Sequence, residues 1–216
     1  MTARVRTAVL ISGRGSNMAA LLDAAADPAY PAEIVLVLSN RADAAGLAHA
    51  AACGVATAVV ESRARDRLSF EAAIQAKLAA QGIALIALAG FMRVLTEGFV
   101  ARWQGRMINI HPSLLPAFKG LDTHARALAA GVAEHGCTVH LVSPGVDDGP
   151  ILAQAVVPVL DGDTEVSLAA RVLAEEHRIY PAALARLAAS QQKPCRCPPA
   201  CLNAASKVDR TEDRHG

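Results

Sequence analysis

The chain has 216 residues and a formal net charge of +1, and 53% of its residues are hydrophobic while only 3% are aromatic. This length favours one α/β domain with a core of ordinary size. The near-zero charge, the scarcity of aromatic rings and the lack of an apolar run of roughly 20 residues argue against nucleic acid or a membrane as a partner.

Apolar runs rich in valine, isoleucine and leucine alternate along the chain with alanine-rich stretches of helical period. In chain order the expected strands and helices are VRTAVLIS, MAALLDAAA, AEIVLVLS, AAGLAHAAA, VATAVVE, SFEAAIQAKLAAQ, IALIALA, TEGFVARW, RMINIH, HARALAAG and CTVHLVS. A strand that is repeatedly followed by a helix predicts a doubly wound, mostly parallel α/β sheet covered by helices on both faces.

The end of the chain departs from this alternation. CTVHLVS, the turn PGVDDGP and the run ILAQAVVPV predict two strands that pair as a hairpin. A closing helix is expected from about Thr164, with Asp163 or Thr164 as its cap. Periodicity is then lost while proline and charge increase, so we expect a single domain over residues 1–190 and a disordered tail over residues 191–216.

The five cysteines do not form a disulfide framework. Cys53 and Cys137 stand alone, whereas Cys195, Cys197 and Cys201 crowd into the expected tail. A cytosolic setting with reduced thiols fits this pattern best. The tail cluster has three cysteines without the usual pair spacing and fourth ligand of a structural zinc site, so no metal is expected.

The stretch ISGRGSN, at residues 11–17, joins the first expected strand to the first helix. A dinucleotide-binding loop needs a third glycine where this chain has Met18, and an acidic residue after the second strand where it has Asn40. The Walker pattern is absent as well. The loop therefore predicts either an ordinary capped turn or a site for a single phosphate group, held by free amides at the positive end of a helix.

A second candidate site begins in RMINIHPSLLPAFKG, at residues 106–120. Asn109 and His111 are two apart on an expected strand, so they share a face near its carboxyl end, where open α/β sheets bind ligands. An amide beside an imidazole suits a carbonyl oxygen that becomes negative, and VDDGP, at residues 146–150, offers a nearby carboxylate. The alternative is a pair of polar side chains satisfied by neighbouring backbone.

Five segments, in this order and spacing, resemble the phosphoribosylglycinamide formyltransferases, the folate-dependent enzymes of purine synthesis: ISGRGSN, LAGFMRVL, INIHPSLLPAFKG, HGCTVHLVSPGVDDGPILAQ and EEHRIYP. The likeness covers residues 7–190. It implies a Rossmann-like formyltransferase fold and a cytoplasmic monomer or homodimer that acts on two small molecules without a metal. These are the co-substrate 10-formyltetrahydrofolate and the acceptor 5-phosphoribosylglycinamide.

The resemblance also implies roles for individual residues. Asn109, a protonated His111 and Asp147 would be catalytic, with Asp147 favouring the imidazolium. The acceptor, with its phosphate, would lie against Gly15, Ser16, Asn17, Leu173 and Glu176. The folate would be bordered by Arg67, Met92, Arg93, Val94, Leu95, Asn109, Ser143, Pro144, Gly145, Val146 and Asp147.

Two positions depart from the family pattern. Leu173 stands where members often carry a polar or basic side chain, and leucine cannot donate a hydrogen bond to a phosphate. Asp148 stands where a glycine is usual, which matters if that position needs a positive φ.

Three other functions compete with this reading. A formyltetrahydrofolate hydrolase shares the catalytic trio but usually has a small domain before the first strand, which here begins near Val5. A methionyl-tRNA formyltransferase needs a further carboxyl-terminal domain, for which 26 residues are too few. A non-catalytic nucleotide-binding module would not need Asn109, His111 and Asp147 together.

Overall fold

The computed structural model describes residues 3–63 and 65–192. The tail expected beyond them, with Cys195, Cys197 and Cys201, therefore lies outside the described residues. The strands are β1 (Val5–Ile11), β2 (Ala32–Ser39), β3 (Ala56–Val59), β4 (Leu85–Leu88), β5 (Met107–His111), β6 (Glu134–Leu141) and β7 (Ile151–Pro158). The helices are α1 (Ser16–Ala25), α2 (Ala45–Ala52), α3 (Arg67–Ala80), α4 (Glu97–Arg102), α5 (Thr123–Ala129) and α6 (Glu165–Gln192).

The strands form one sheet in the order β3-β2-β1-β4-β5-β6-β7. The pairs from β3 to β5 are parallel, whereas β6 and β7 are added as antiparallel strands. This confirms the predicted doubly wound, mostly parallel sheet and the hairpin that follows it. The chain first winds outward from β1 and then returns to its other side at β4, so the ends of β1 and β4 form a switch point of the kind that binds ligands.

Two hydrophobic clusters cover the two faces of the sheet. In β1, Val9 and Ile11 belong to one cluster, while Ala8 and Leu10 belong to the other, because successive side chains of a strand point to opposite faces. Helices α1 and α6 contribute to the first cluster, and α3 and α4 to the second. The valine-rich and leucine-rich runs are thus buried on both sides, as a parallel sheet requires.

Met18 shows why the first loop is not a dinucleotide fingerprint. Its side chain is fully buried in the cluster under α1. It packs close to Gly15, because a Cβ atom added there would lie 3.2 Å from the methionine Cε and 3.2 Å from the Gly46 Cα. The loop is also fixed to the start of α2, since the Gly46 N–H donates to the Gly13 carbonyl at 3.1 Å.

Helix α6 begins and ends in hydrogen bonds that fix its length. Thr164 is its cap, since the Ser167 N–H donates to the Thr164 Oγ1 at 3.2 Å. The expected end at residue 190 is two residues short, because α6 continues to Gln192. The Gln192 side-chain amide donates to the carbonyls of Ala3 at 3.0 Å and Pro31 at 3.2 Å, which ties the last turn to the neighbouring strands.

A buried tyrosine joins α6 to the middle of the sheet. The Tyr180 hydroxyl donates to the Leu88 carbonyl, at the end of β4, at 2.8 Å. Burial raises the pKa of this phenol, so it stays a neutral donor.

Although α6 is long, none of the helices among residues 3–63 and 65–192 has the length and apolarity to cross a membrane.

Gly136 lies in β6 at a point where a side chain would meet the backbone of β7. A Cβ atom added there would lie 2.0 Å from the Ala155 backbone oxygen, a position that cannot be relieved by moving a flexible side chain. Gly136→Ala should therefore lower the free energy of unfolding by about 1–3 kcal/mol, as measured by urea denaturation. Gly98→Ala in α4 is the matched control, because nothing lies within 4 Å of that Cβ. Equal free energies of unfolding in the two variants would show that the β7 backbone moves to accommodate the added methyl group.

Candidate active site

A cavity of about 250 Å³ lies at the switch point between β1 and β4. It is lined by residues 12–17, which follow β1, and by Ala89, Gly90 and Met92, which follow β4. The loop after β1 is the glycine-containing segment that the sequence singled out. The parallel order of the two strands brings both segments to the same edge of the sheet.

The start of α1 offers this cavity backbone donors. Gly15 is the N-cap residue, with φ 77° and ψ 33°, and no side chain caps the helix. The first bond of the helix runs from the Ala19 N–H to the Gly15 carbonyl, so the amides of Ser16 and Asn17 precede the helical ladder. Gly15, Ser16 and Asn17 therefore lie together where free amides and the positive helix end favour an anion.

Glu176 reaches this loop from α6. The Asn17 side-chain amide donates to the Glu176 Oε2 at 2.7 Å, across 159 residues of sequence. Burial raises the pKa of the Glu176 carboxyl, and the Asn17 hydrogen bond opposes that shift only in part. Within the described residues the buried Asn17 Oδ1 has no hydrogen-bond partner, so it is available to a donor from outside the protein.

Leu173 lies three residues before Glu176 on α6, and residues at this spacing share one face of a helix. Its side chain is apolar and only partly buried. The structure thus places Leu173 on the same side of α6 as Glu176. Leu173 therefore contributes no positive charge to the cavity.

The carboxylate of Asp147 lies against the imidazole of His111. The distance from the His111 Nδ1 to the Asp147 Oδ2 is 3.3 Å, and His111 is buried. The Gly120 N–H donates to the same carboxylate oxygen at 3.0 Å, while the His111 Nε2 lies 3.0 Å from the Phe118 carbonyl. Both partners of His111 are acceptors, so this arrangement suits an imidazolium that donates from both nitrogens.

The sequence analysis did not identify His140, whose imidazole lies close to both Asn109 and Asp147. Its Nε2 lies 3.2 Å from the Asn109 Nδ2 and 3.6 Å from the Asp147 Oδ1. Asn109 and His140 are directly opposite in the antiparallel pair of β5 and β6. Pairing RMINIH with CTVHLVS was the signal that could have found it, but the sequence predicted only the following hairpin.

The electrostatic surroundings keep Asp147 ionised. Burial on its own would raise the pKa of its carboxyl, but the nearby imidazoles of His140 and His111 and the hydrogen bond from the Gly120 N–H outweigh it. The net effect is a pKa below the usual aspartate range. A partly buried carboxylate that stays ionised places a fixed negative charge against the neighbouring imidazole.

Asp148 points away from this cluster. Its carboxylate forms an ion pair with the Lys119 ammonium, and both side chains are solvent-exposed. The positive φ of the turn falls on Asp147, at 48°, and not on Asp148. Asp148, at the usual glycine position, is therefore compatible with the loop, because no positive φ is needed there. At Asp147 the left-handed region is one that aspartate tolerates.

The segments expected to border the folate meet at one hydrophobic cluster. Leu95 and Val142 both pack into the cluster under α3 and α4. Met92 and Val94 are exposed, as is Val146 in the loop after β6, so these segments present apolar side chains to solvent. The Met92 N–H donates to the Ser12 Oγ at 2.8 Å, which links this border to the loop after β1.

The expected folate contacts differ in their exposure. Leu95 is buried in the core. Arg93 lies over the Phe70 ring at 5.9 Å. Arg67 begins α3 and is exposed, and within the described part of the chain it makes no hydrogen bond to the other site residues. Residues 143–146 form the turn that leads to Asp147.

Together these groups provide an amide, an imidazole and a carboxylate beside a cavity that suits an anion. Such a set can stabilise a negative oxygen that develops during transfer of an acyl group. Among the described residues, no cluster of three histidine, cysteine, aspartate or glutamate side chains is arranged to hold a metal ion.

Comparison with known proteins agrees with this arrangement. Residues 5–184 match the formyl transferase family, and the chain belongs to that family. It is 44% identical over 174 residues to phosphoribosylglycinamide formyltransferase of Escherichia coli, an alignment that covers 80% of this chain and 82% of the relative. The crystal structure of phosphoribosylglycinamide formyltransferase from Brucella melitensis matches with a TM-score of 0.83 and 55% identity, covering 87% of this chain and 97% of the other.

A third relative is much longer. The chain is 48% identical over 182 residues to the human trifunctional purine biosynthetic protein adenosine-3, which covers 84% of this chain. The chain spans only 18% of the length of that relative.

The lowered pKa of Asp147 predicts a pH-dependent contribution to stability. Because the folded pKa is below the unfolded value, the ionised carboxylate stabilises the fold above the ordinary aspartate pKa of about 3.9, and this contribution is lost as the pH falls through the folded pKa. Asp147→Asn should unfold at a lower urea concentration at pH 7, with the difference from the unmodified chain shrinking below about pH 4. Asp148→Asn, at an exposed position, serves as the control. A difference that stays constant with pH would contradict this origin.

Proposed function

We propose that the chain is a phosphoribosylglycinamide formyltransferase. It transfers the formyl group of 10-formyltetrahydrofolate to the amine of 5-phosphoribosylglycinamide, yielding the formylglycinamide ribotide and tetrahydrofolate. The observation that carries the proposal is the contact between the buried His111 and the partly buried Asp147, next to Asn109 and close to a cavity suited to a phosphate, in a member of the formyl transferase family. The names of the relatives from Escherichia coli and Brucella melitensis support it.

The chemistry follows from the polar groups around His111. The acceptor amine attacks the formyl carbon, and the carbonyl oxygen becomes a tetrahedral oxyanion. The Asn109 amide and the His111 imidazolium stabilise that oxyanion, while Asp147 stabilises the imidazolium. As the intermediate collapses, the attacking nitrogen loses a proton and the leaving nitrogen of tetrahydrofolate gains one.

One contact has to change before His111 can act on an oxyanion. Its Nδ1 faces Asp147, and its Nε2 lies 3.0 Å from the Phe118 carbonyl. Phe118 belongs to the connection between β5 and α5, and its own φ is 52°. We infer that the substrate oxygen replaces the Phe118 carbonyl at Nε2, which requires this connection to move when substrates bind.

The acceptor fits the cavity at the end of β1. Its phosphate would lie on the amides of Ser16 and Asn17, and its glycinamide N–H groups would meet the Asn17 Oδ1 and the buried Glu176 carboxylate. This arrangement favours a phosphorylated amine over water as the formyl acceptor. A cytoplasmic location and a monomeric or dimeric state belong to the same proposal and remain predictions.

The decisive experiment is a spectroscopic assay of tetrahydrofolate release with and without 5-phosphoribosylglycinamide. We expect release only when the ribotide is present. Release that does not depend on the ribotide would identify a hydrolase. Ligand binding without any release would identify a non-catalytic binding module.

Replacing either polar residue of β5 should slow turnover while folate binding survives. We expect His111→Ala and Asn109→Ala each to lower kcat by about 10² to 10⁴, the range for loss of one proton donor or one oxyanion donor. His49→Ala, on the exposed surface of α2, is the matched histidine control and should leave kcat unchanged. Near-normal turnover in either β5 variant would remove that residue from the mechanism.

The two adjacent aspartates should differ in kinetic effect. Asp147→Asn should lower kcat, because the His111 imidazole then loses the negatively charged partner that lies 3.3 Å from its Nδ1. Asp148→Gly should be mild, because its ion pair with Lys119 is exposed. The rate of each variant is measured against pH. A large loss with Asp148→Gly and little change with Asp147→Asn would reverse the assignment.

A further inference from the structure

The cavity at the end of β1 contains a charged side chain that the proposed mechanism does not use. Arg14 lines this cavity and lies between the two glycines of the loop, immediately before the cap of α1. Its side chain is exposed. Among the described residues that line the cavity, Arg14 alone carries a charge.

The polar side chains beside Arg14 are already occupied within the protein. The Ser12 hydroxyl donates to the Asn40 Oδ1 at 2.6 Å and accepts from the Met92 N–H at 2.8 Å. The Asn17 amide nitrogen donates to Glu176 at 2.7 Å. The loop therefore meets a ligand mainly with backbone amides, the Ser16 hydroxyl and the guanidinium of Arg14.

The charge of a phosphate is not balanced by the other groups of this cavity. A phosphate monoester carries about −1.5 to −2 charges at neutral pH, whereas a helix amino terminus supplies about +0.5. Glu176, which contacts the loop, is acidic, and Leu173 on the same face of α6 is apolar. Neither residue supplies a positive charge. A cation beside the amides would offset the negative charge that remains.

Arg14 is free to supply that cation. Within the part of the chain that the structure describes, arginine ion pairs with carboxylates are formed by Arg41, Arg171 and Arg178, and none involves Arg14. A guanidinium presents a planar fork of donors that matches two phosphate oxygens at once. Because the side chain is exposed, it can turn onto a ligand without breaking an existing contact.

We propose that Arg14 is a specificity-determining residue that binds the phosphate of the acceptor, opposite the amides of Ser16 and Asn17. This inference rests on the proposed function, since it assigns the phosphate to 5-phosphoribosylglycinamide. It predicts that the chain selects phosphorylated acceptors through a side chain of the loop itself. The reacting amine and the formyl group lie elsewhere, so the chemical step is left unchanged.

The test compares two acceptors, 5-phosphoribosylglycinamide and the same ribosylglycinamide without its phosphate. Arg14→Ala should raise the KM for the phosphorylated acceptor by about 10- to 100-fold, the range for losing charge-assisted hydrogen bonds, with kcat nearly unchanged. The KM for the unphosphorylated acceptor should not change. Arg14→Lys should recover part of the loss, because it restores the charge without the planar fork.

Arg41→Ala is the matched control. It removes one positive charge from another exposed arginine, which is paired with Asp43 and does not line the cavity. We expect its KM values to equal those of the unmodified chain. An equal rise in KM in the two alanine variants would show a general charge effect and would overturn the assignment to Arg14.

Two further outcomes would also overturn the assignment to Arg14. One is an unchanged KM for the phosphorylated acceptor in Arg14→Ala, and the other is an equal rise in KM for both acceptors in that variant. The unmodified chain, assayed alongside, separates this question from the proposed function. If it releases tetrahydrofolate only with the ribotide while Arg14→Ala behaves normally, only the role of Arg14 fails. If the unmodified chain shows no such dependence, the proposed function itself fails.

Discussion

The site depends on one electrostatic contact, the partly buried carboxylate of Asp147 against the imidazole of His111. The contact exists because an antiparallel strand, β6, is added beside β5, and the loop after β6 folds back across the end of β5. The carboxylate stays ionised because the Gly120 N–H donates to it and the imidazoles of His111 and His140 lie within 3.6 Å of it. The positions of Asn109 and of the connection that contains Phe118 both follow from this arrangement.

The switch point between β1 and β4 supplies the second half of the site. There the chain offers uncapped helix amides, a buried glutamate from α6 and an unpaired arginine around one cavity, within the described residues. The Met92 N–H to Ser12 Oγ bond joins the two segments that line this cavity. A parallel sheet with a reversal of winding direction is what brings these distant segments to one edge.

Much of the fold and part of the candidate site could be predicted from local sequence patterns. The alternation of strands and helices predicted the sheet, because buried parallel strands need continuous apolar runs, and the spacing of Asn109 and His111 predicted their common face. His140 could not be found this way, since its role depends on which distant strand lies opposite Asn109. Likewise Gln192, the last residue of α6, donates to the carbonyls of Ala3 and Pro31, contacts that no local pattern reveals.

The central claim is that His111 and Asp147 act on the reaction through their mutual contact. A double-mutant cycle tests it most directly, with kcat measured for the unmodified chain, His111→Ala, Asp147→Asn and the double variant. The account predicts that the loss of kcat in the double variant is much smaller than the product of the two single losses, because Asp147 acts through the imidazole that His111→Ala removes. A loss in the double variant equal to that product would contradict it.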